Sequence, residues 1–306
     1  MINHQPIAVG LGELLWDMLP KGKQIGGAPF NFARHCNQLG LEGFPVSQIG
    51  IDELGNETVS LLKDWGITPD FVSRDPQHET GTVNIRLDNQ GKRNYEIRDD
   101  AAWDFIQHNL LLEQLAPKVD IVCFGTLAQR SDASRSTIYS FLDRMSSDAI
   151  KLFDVNLRQH FYSIGSIEAS LERASILKLS DEELPVLKNA FSLSGSVEVQ
   201  LSELKNRFEL KLIAYTRGAE GSFLINGSGT DDHPGNTITT IDTIGAGDSF
   251  SATLCAGLLQ GLTLAPLNEN ANQVAAYVCS QRGATPALPE SIVKNVSYST
   301  SSVPKI

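Results

Sequence analysis

Short apolar runs of strand length alternate with stretches of helical length through most of this chain. No other feature restricts the fold as much. Residues 6–11, 43–49, 120–124, 151–155, 176–179, 210–215 and 222–225 read as buried strands, several of them ending in glycine or polar residues. Between them, residues 30–39, 57–64, 134–145 and 202–208 read as helices. Such alternation predicts an α/β fold, a three-layer, doubly wound and mostly parallel sheet with helices on both faces. Ligands of folds built this way gather at the carboxyl ends of the strands.

Two places break the pattern. Residues 82–87 and 93–97 alternate polar and apolar around Asp88-Asn89-Gln90-Gly91, which predicts a hairpin whose face of Val83, Ile85 and Leu87 must cover something. Residues 14–19 and 23–25 form a second candidate hairpin across Pro20-Lys21-Gly22. Two hairpins inserted into an α/β core read either as a small β-sheet lid over a site or as decorative edges. A chain of 306 residues can bury one large core. The expectation is a single domain over 1–306, with lid segments at approximately 12–25 and 80–103. Only the tail, 297–306, reads as loose.

The strongest chemical window is Asp242-Thr243-Ile244-Gly245-Ala246-Gly247-Asp248-Ser249-Phe250, followed by an apolar run able to form a helix. A turn of Gly245, Ala246 and Gly247 at a helix start leaves backbone N–H groups without intrahelical partners. Those donors and the positive end of the helix dipole suit a phosphate. Asp248 beside them is either an ordinary helix cap or a base that takes the proton of a hydroxyl attacking a phosphoryl group. The second window is Gly26-Gly27-Ala28-Pro29-Phe30-Asn31-Phe32-Ala33. Its glycines let backbone approach a ligand, Pro29 fits a first helical turn, and Asn31 offers a donor and an acceptor to a polyhydroxylated molecule. The same window also reads as a glycine-rich helix entry with no ligand.

Other classes fit poorly. A net charge of −11 argues against nucleic acid as a partner. Gly10-Leu11-Gly12 lacks the third glycine of a dinucleotide fingerprint, no G-x-x-x-x-G-K-[ST] loop occurs, and no G-x-S-x-G elbow occurs. The six histidines lack metal-ligand spacing. Cys36, Cys123, Cys255 and Cys279 form no C-x-x-C pair and read as free thiols of a reducing compartment. With no signal-like start and no apolar run long enough for a membrane span, a cytoplasmic protein without a membrane partner is expected.

Together these residues resemble the ribokinase-like (PfkB) carbohydrate kinases over nearly the whole chain. The Gly26-to-Ala33 window is similar to the first family signature and the Asp242-to-Phe250 window to the second. Gly50, Asp52 and Gly55 fit the G-x-D-x-x-G element between them. The resemblance implies an ATP-dependent sugar kinase with Mg2+. It makes Asp248 the catalytic base and Gly245, Ala246 and Gly247 the anion hole. Asp17, Gly27 and Asn31 become sugar contacts. Thr216-Arg217-Gly218-Ala219-Glu220-Gly221 looks like the T-x-G-x-x-G stretch that lines the nucleotide through Thr216, Gly218 and Gly221. Ser180 stands where the family has the Asn of N-x-x-E, while Glu183 keeps the acid tied indirectly to Mg2+. Asn272 falls at an adenine contact, and Asp242 with residues 283–287 at a monovalent-cation (K+) site. The lid also offers a surface for a homodimer.

Asp154-Val155-Asn156-Leu157-Arg158 resembles the D-x-N-x-R element of the fructokinase and ketodeoxygluconate-kinase branches, which implies that Arg158 reaches the acceptor sugar. Glu96-Ile97-Arg98, the segment from Ala101 to Phe105, and Phe124 to Ser131 are most like bacterial fructokinases. Within these, Trp103 and Phe105 could stack on a sugar or pack in the core. The expected reaction is transfer to the 6-hydroxyl of fructose. A ribokinase- or ketodeoxygluconate-type kinase, or a non-catalytic sugar- or nucleotide-binding protein, is the alternative.

Overall fold

In the computed structural model, residues 5–19, 22–87 and 93–298 are described. The two predicted hairpin turns fall largely or wholly outside these residues, as do the last eight of the tail. The elements run β1 (Ile7–Leu11), β2 (Leu15–Leu19), β3 (Gly22–Gly26), α1 (Ala28–Gln38), β4 (Glu42–Gly50), α2 (Glu53–Asp64), β5 (Val72–Asp75), β6 (Gly81–Leu87) and β7 (Arg93–Ile97). They continue as α3 (Leu110–Leu115), β8 (Ile121–Phe124), α4 (Asp132–Arg144), β9 (Ile150–Asp154), α5 (Ile164–Leu171), β10 (Ile176–Ser180), α6 (Leu184–Phe191) and α7 (Val197–Arg207). The last are β11 (Leu212–Thr216), β12 (Ser222–Asn226), β13 (Gly229–His233), α8 (Ala246–Leu259), α9 (Leu264–Cys279) and α10 (Glu290–Val296).

Nine strands form one sheet in the order β13-β12-β11-β10-β9-β8-β1-β4-β5. Its pairs are parallel from β5 through to β11, and antiparallel only at β11–β12 and β12–β13. Alternation within each strand sends successive side chains to opposite layers. Val9, Val122, Phe153, Leu177 and Ile213 join one buried cluster, together with Ile138, Leu171, Leu187 and Leu204 from α4, α5, α6 and α7. Ala8, Cys123, Leu152, Ile176 and Leu212 join the other, beneath Cys36, Leu254, Ala271 and Ile292 from α1, α8, α9 and α10. This is the expected three-layer arrangement.

The two inserted hairpins are one structure. β2–β3 and β6–β7 pair antiparallel, and β2–β6 pair parallel, giving a second sheet of order β3-β2-β6-β7. Leu15, Trp16, Ile25, Val83 and Ile97 are buried on it, and Trp16 Nε1 donates to Thr58 Oγ1 at 3.0 Å on α2. Asp52 ties the root of β6 to the start of α2. Its carboxylate accepts from Gly55 N at 2.7 Å, Thr80 N at 2.7 Å and Thr80 Oγ1 at 2.7 Å. That cap starts α2 at Glu53, earlier than the apolar pattern of 57–64 indicates. The polar strand β13 and the short β5 lie at the two edges of the large sheet, where a strand needs less apolar character.

Candidate active site

The close approach of backbone to backbone brings α1 and β1 together. A Cβ on Gly10 would lie 1.8 Å from Pro29 O, so only glycine permits this packing. The start of α1 thereby sits at the carboxyl end of β1, and α8 packs beside it in the same layer. Gly245 caps α8 with φ of +80°, and a Cβ there would meet Ala284 O at 2.1 Å. Ser249 N returns to Gly245 O at 2.9 Å, and Ala246 N makes a longer 3.4 Å contact to Thr243 O. Among the described residues, the N–H groups of Gly247 and Asp248 have no acceptor. Unpaired donors at a helix start are of the kind that suits an anion.

Asp248 does not cap this helix, since no side chain does. Its Oδ2 instead accepts from Asn31 Nδ2 on α1 at 2.8 Å. Burial raises its pKa above the ordinary aspartate value, against the Asn31 hydrogen bond and the charges of Lys178 and Arg158. Asn31 is itself buried, its N bonded to Gly27 O at 2.8 Å, and its Oδ1 is sealed without a partner. Gly27 caps α1 with φ of +110°.

Asp17, on β2 of the small sheet, lies within electrostatic reach of Asp248. Burial raises its pKa to about 6, with Arg158 pulling down and Asp242 and Asp248 pushing up. Arg158, exposed on the loop after β9, therefore lies within electrostatic reach of Asp17, Asp248 and Glu13. Glu13 was not singled out in the sequence. It is 3% exposed, its Oε2 has no hydrogen-bond partner, and burial pushes its pKa up to about 7. The available signal was an acid immediately after a buried strand and Gly12.

Deeper, β9 and β10 are in register with Lys178 opposite Asp154. Lys178 Nζ lies 3.1 Å from Asp154 Oδ1, and a Cβ on Gly247 would lie 3.0 Å from that same Nζ. Lys178 also escaped the sequence reading, although a lysine inside Ile176-Leu177-Lys178-Leu179 is conspicuous. Glu183 is buried and accepts from Ser180 N at 2.7 Å and Leu157 N at 2.8 Å. Position 180 thus supplies a backbone N–H to this bond, which serine provides as well as asparagine.

Of the nucleotide residues implied by the resemblance, Thr216, Gly218 and Gly221 lie on β11 and the turn after it, Ser180 ends β10 and Asn272 sits on α9. Thr216 ends β11, and a Cβ on Gly218 would meet nothing within 4 Å, so open space lies above it. Gly221 is fixed differently, since a Cβ there would strike His233 O at 2.0 Å. Asn272 is buried, and its Nδ2 is taken by Ser222 Oγ at 2.7 Å and Asn268 O at 2.8 Å. Asp242 bridges Ile244 N at 3.3 Å and Gly283 N at 3.4 Å. Among the described residues, no group of three or more His, Cys, Asp or Glu could hold a metal ion by itself.

Trp103 is not brought to the cleft. It is fully buried, the Arg130 guanidinium lies 4.2 Å over its ring, and Gly81 packs against its indole edge. Of the two readings open for it, core packing is the one the fold adopts. Phe105 is partly buried and stacks on His78 at 3.6 Å.

The fold is shared with ribokinase-like neighbours, and at the start of α8 two free N–H groups lie beside the half-buried Asp248 carboxylate. Residues 21–291 match the pfkB family of carbohydrate kinases, and the chain belongs to that family. An uncharacterized sugar kinase from Pyrococcus horikoshii is 31% identical over 293 residues, 90% of each chain. Its crystal structure superposes with a TM-score of 0.79 over 95% of this chain and 99% of that one, at 29% identity. The fructokinase of Salmonella typhimurium is 27% identical over 297 residues, 91% of this chain and 95% of that one. The fructokinase of Vibrio cholerae, solved with fructose, ADP and calcium, shares the fold with a TM-score of 0.77 at 23% identity, over 95% and 99% of the two chains. Among the described residues no helix is long and apolar enough to cross a membrane.

Proposed function

We propose that this carbohydrate kinase transfers the terminal phosphoryl group of ATP to the 6-hydroxyl of D-fructose, with Asp248 as the base. The observation that carries the reading is the Asn31–Asp248 hydrogen bond at the mouth of an unpaired pair of N–H groups. Asn31 holds Oδ2, which leaves Oδ1 of Asp248 to take the hydroxyl proton. The hydroxyl oxygen attacks the terminal phosphorus, and the bond to the bridging oxygen of ADP breaks. The N–H groups of Gly247 and Asp248 receive the charge spread over the phosphoryl oxygens.

The sugar lies beneath the small sheet, which acts as a lid that excludes competing water. Asp17, the Gly27 turn, Asn31 and Arg158 surround it. The nucleotide runs along Thr216 and the open turn at Gly218, and its base lies toward Asn272. Magnesium bound to the ATP phosphates would neutralise their charge. When bound it would be held mainly by the nucleotide, with Glu183 acting on it indirectly. A monovalent cation beside Asp242 and a dimer formed through the small sheet belong to the same reading.

Fructokinases among the relatives support fructose as the acceptor. Arg158 favours a second reading, a ketodeoxygluconate-type acceptor whose carboxylate would meet the guanidinium. A panel of sugars supplied with ATP and scored by ADP release separates the two. Turnover with fructose above all others is the expected result, and no response to fructose rejects the assignment.

A further inference from the structure

Lys178 stands where the strand pattern calls for an apolar residue. Its neighbours on the same face, Ile176 and Leu152, belong to the cluster beneath α8. No other lysine or arginine among the described residues is as deeply buried. An ammonium in such a place costs desolvation that one ion pair seldom repays. Asp154 accepts one of its three N–H bonds, at 3.1 Å. The space a Gly247 side chain would occupy lies 3.0 Å from the same nitrogen. The ammonium therefore adjoins the helix start with donors to spare.

Building on the kinase reading above, we propose that Lys178 is a catalytic residue, whose Nζ hydrogen-bonds the phosphoryl group in flight, with Asp154 as the positioning residue that aims it. The chemistry is an in-line transfer. The bond from the sugar oxygen to the terminal phosphorus forms while the bond to the ADP oxygen breaks and its electron pair leaves with ADP. The hydroxyl proton passes to Asp248, and Lys178 keeps all of its own. Burial disfavours the ammonium, but Asp154, Glu183 and Asp248 outweigh it and hold the lysine pKa above its ordinary value. Lys178 thus remains a donor and does not compete with Asp248 as a base. The absence of a side chain at Gly247 gains a second purpose, to let this cation reach the anion site.

A merely structural Lys178 would serve to neutralise Asp154, and a double variant distinguishes the two roles. Lys178→Met alone strands a buried carboxylate and can cost folding, whereas Lys178→Met with Asp154→Asn removes both charges. The double variant is expected to melt cooperatively, bind ATP within a few-fold of wild type, and lose roughly 10²–10³-fold in kcat, the usual cost of one transition-state donor. Recovery of kcat to within about threefold of wild type, about 0.7 kcal/mol by the rate relation, would overturn the proposal. If neither variant folds, wild-type protein labelled with ¹⁵N-lysine gives a second measurement. Sugar, ADP, magnesium and aluminium fluoride should shift the buried ammonium resonance, and an unmoved resonance in a complex whose other signals shift overturns the proposal. Wild-type protein that releases ADP with no sugar defeats the kinase reading itself. Normal wild-type turnover with an unaffected double variant defeats the role of Lys178 alone.

Discussion

Asn31 and Asp248, 217 positions apart in sequence, are joined by a 2.8 Å hydrogen bond from the amide Nδ2 to the carboxylate Oδ2. The bond links the starts of α1 and α8, so the two signature windows, which also pack through Phe32 and Phe250, are tied by a polar contact at the helix starts. It also turns an acid that could have capped its own helix toward the cleft.

Replacing Asp248 by Asn removes the proposed base and keeps the shape. Turnover is expected to fall about 10²–10⁴-fold. Calorimetric binding of sugar and of ATP should stay within a few-fold of wild type. Near-normal kcat would show that another group takes the proton.

Asn31→Leu tests how the base is tuned. The amide hydrogen bond favours the ionised carboxylate and opposes the upward push of burial on Asp248. Without it the carboxylate protonates at higher pH, so the acid limb of the kcat/KM profile should move to higher pH. A limb that stays in place would mean that Asp248 does not govern it.

Glu13 should leave its mark on stability. Its pKa is raised from 4.5 to about 7, so the folded state holds a proton that the unfolded chain gives up. That contribution is complete below pH 4.5 and is lost as the pH climbs through about 7, a change of about 3 kcal/mol. Urea unfolding at a series of pH values should therefore show Glu13→Gln gaining on wild type between pH 5 and 8. Parallel curves for the two proteins would contradict it.

Gly245→Ala and Gly218→Ala both place an alanine at positive φ, but only the first drives its Cβ into Ala284 O. The left-handed φ alone costs about 1–3 kcal/mol at either site. A clearly larger loss in denaturation midpoint is expected for Gly245→Ala, and equal losses would place the Ala284 contact elsewhere.

What the sequence made legible followed from periodicity and from glycine. The alternation of apolar runs with helices foretold the large sheet, and the two hairpin patterns foretold the small one. Three things were hidden. The strand Gly229-Thr230-Asp231-Asp232-His233 carries little apolar signal because it is an edge strand. Trp103 lies in a segment whose composition would suit a sugar platform, and only its full burial, against Gly81 and beneath Arg130, decides that it is core. Glu13 and Lys178 were passed over because their meaning depends on neighbours distant in sequence, Asp248 and Gly247, which only the packing of α8 supplies.

The parallel pairing of β2 with β6 has a mechanical consequence. The polypeptide crosses between the two sheets four times, between β1 and β2, between β3 and α1, after β5, and after β7. A flap on one hinge can swing wide, but a plate on four tethers can only tilt or slide a short way before one of them tightens. Any stroke would therefore be limited by the shortest connection, the single residue Gly27 between β3 and α1, which also adjoins the buried Glu13.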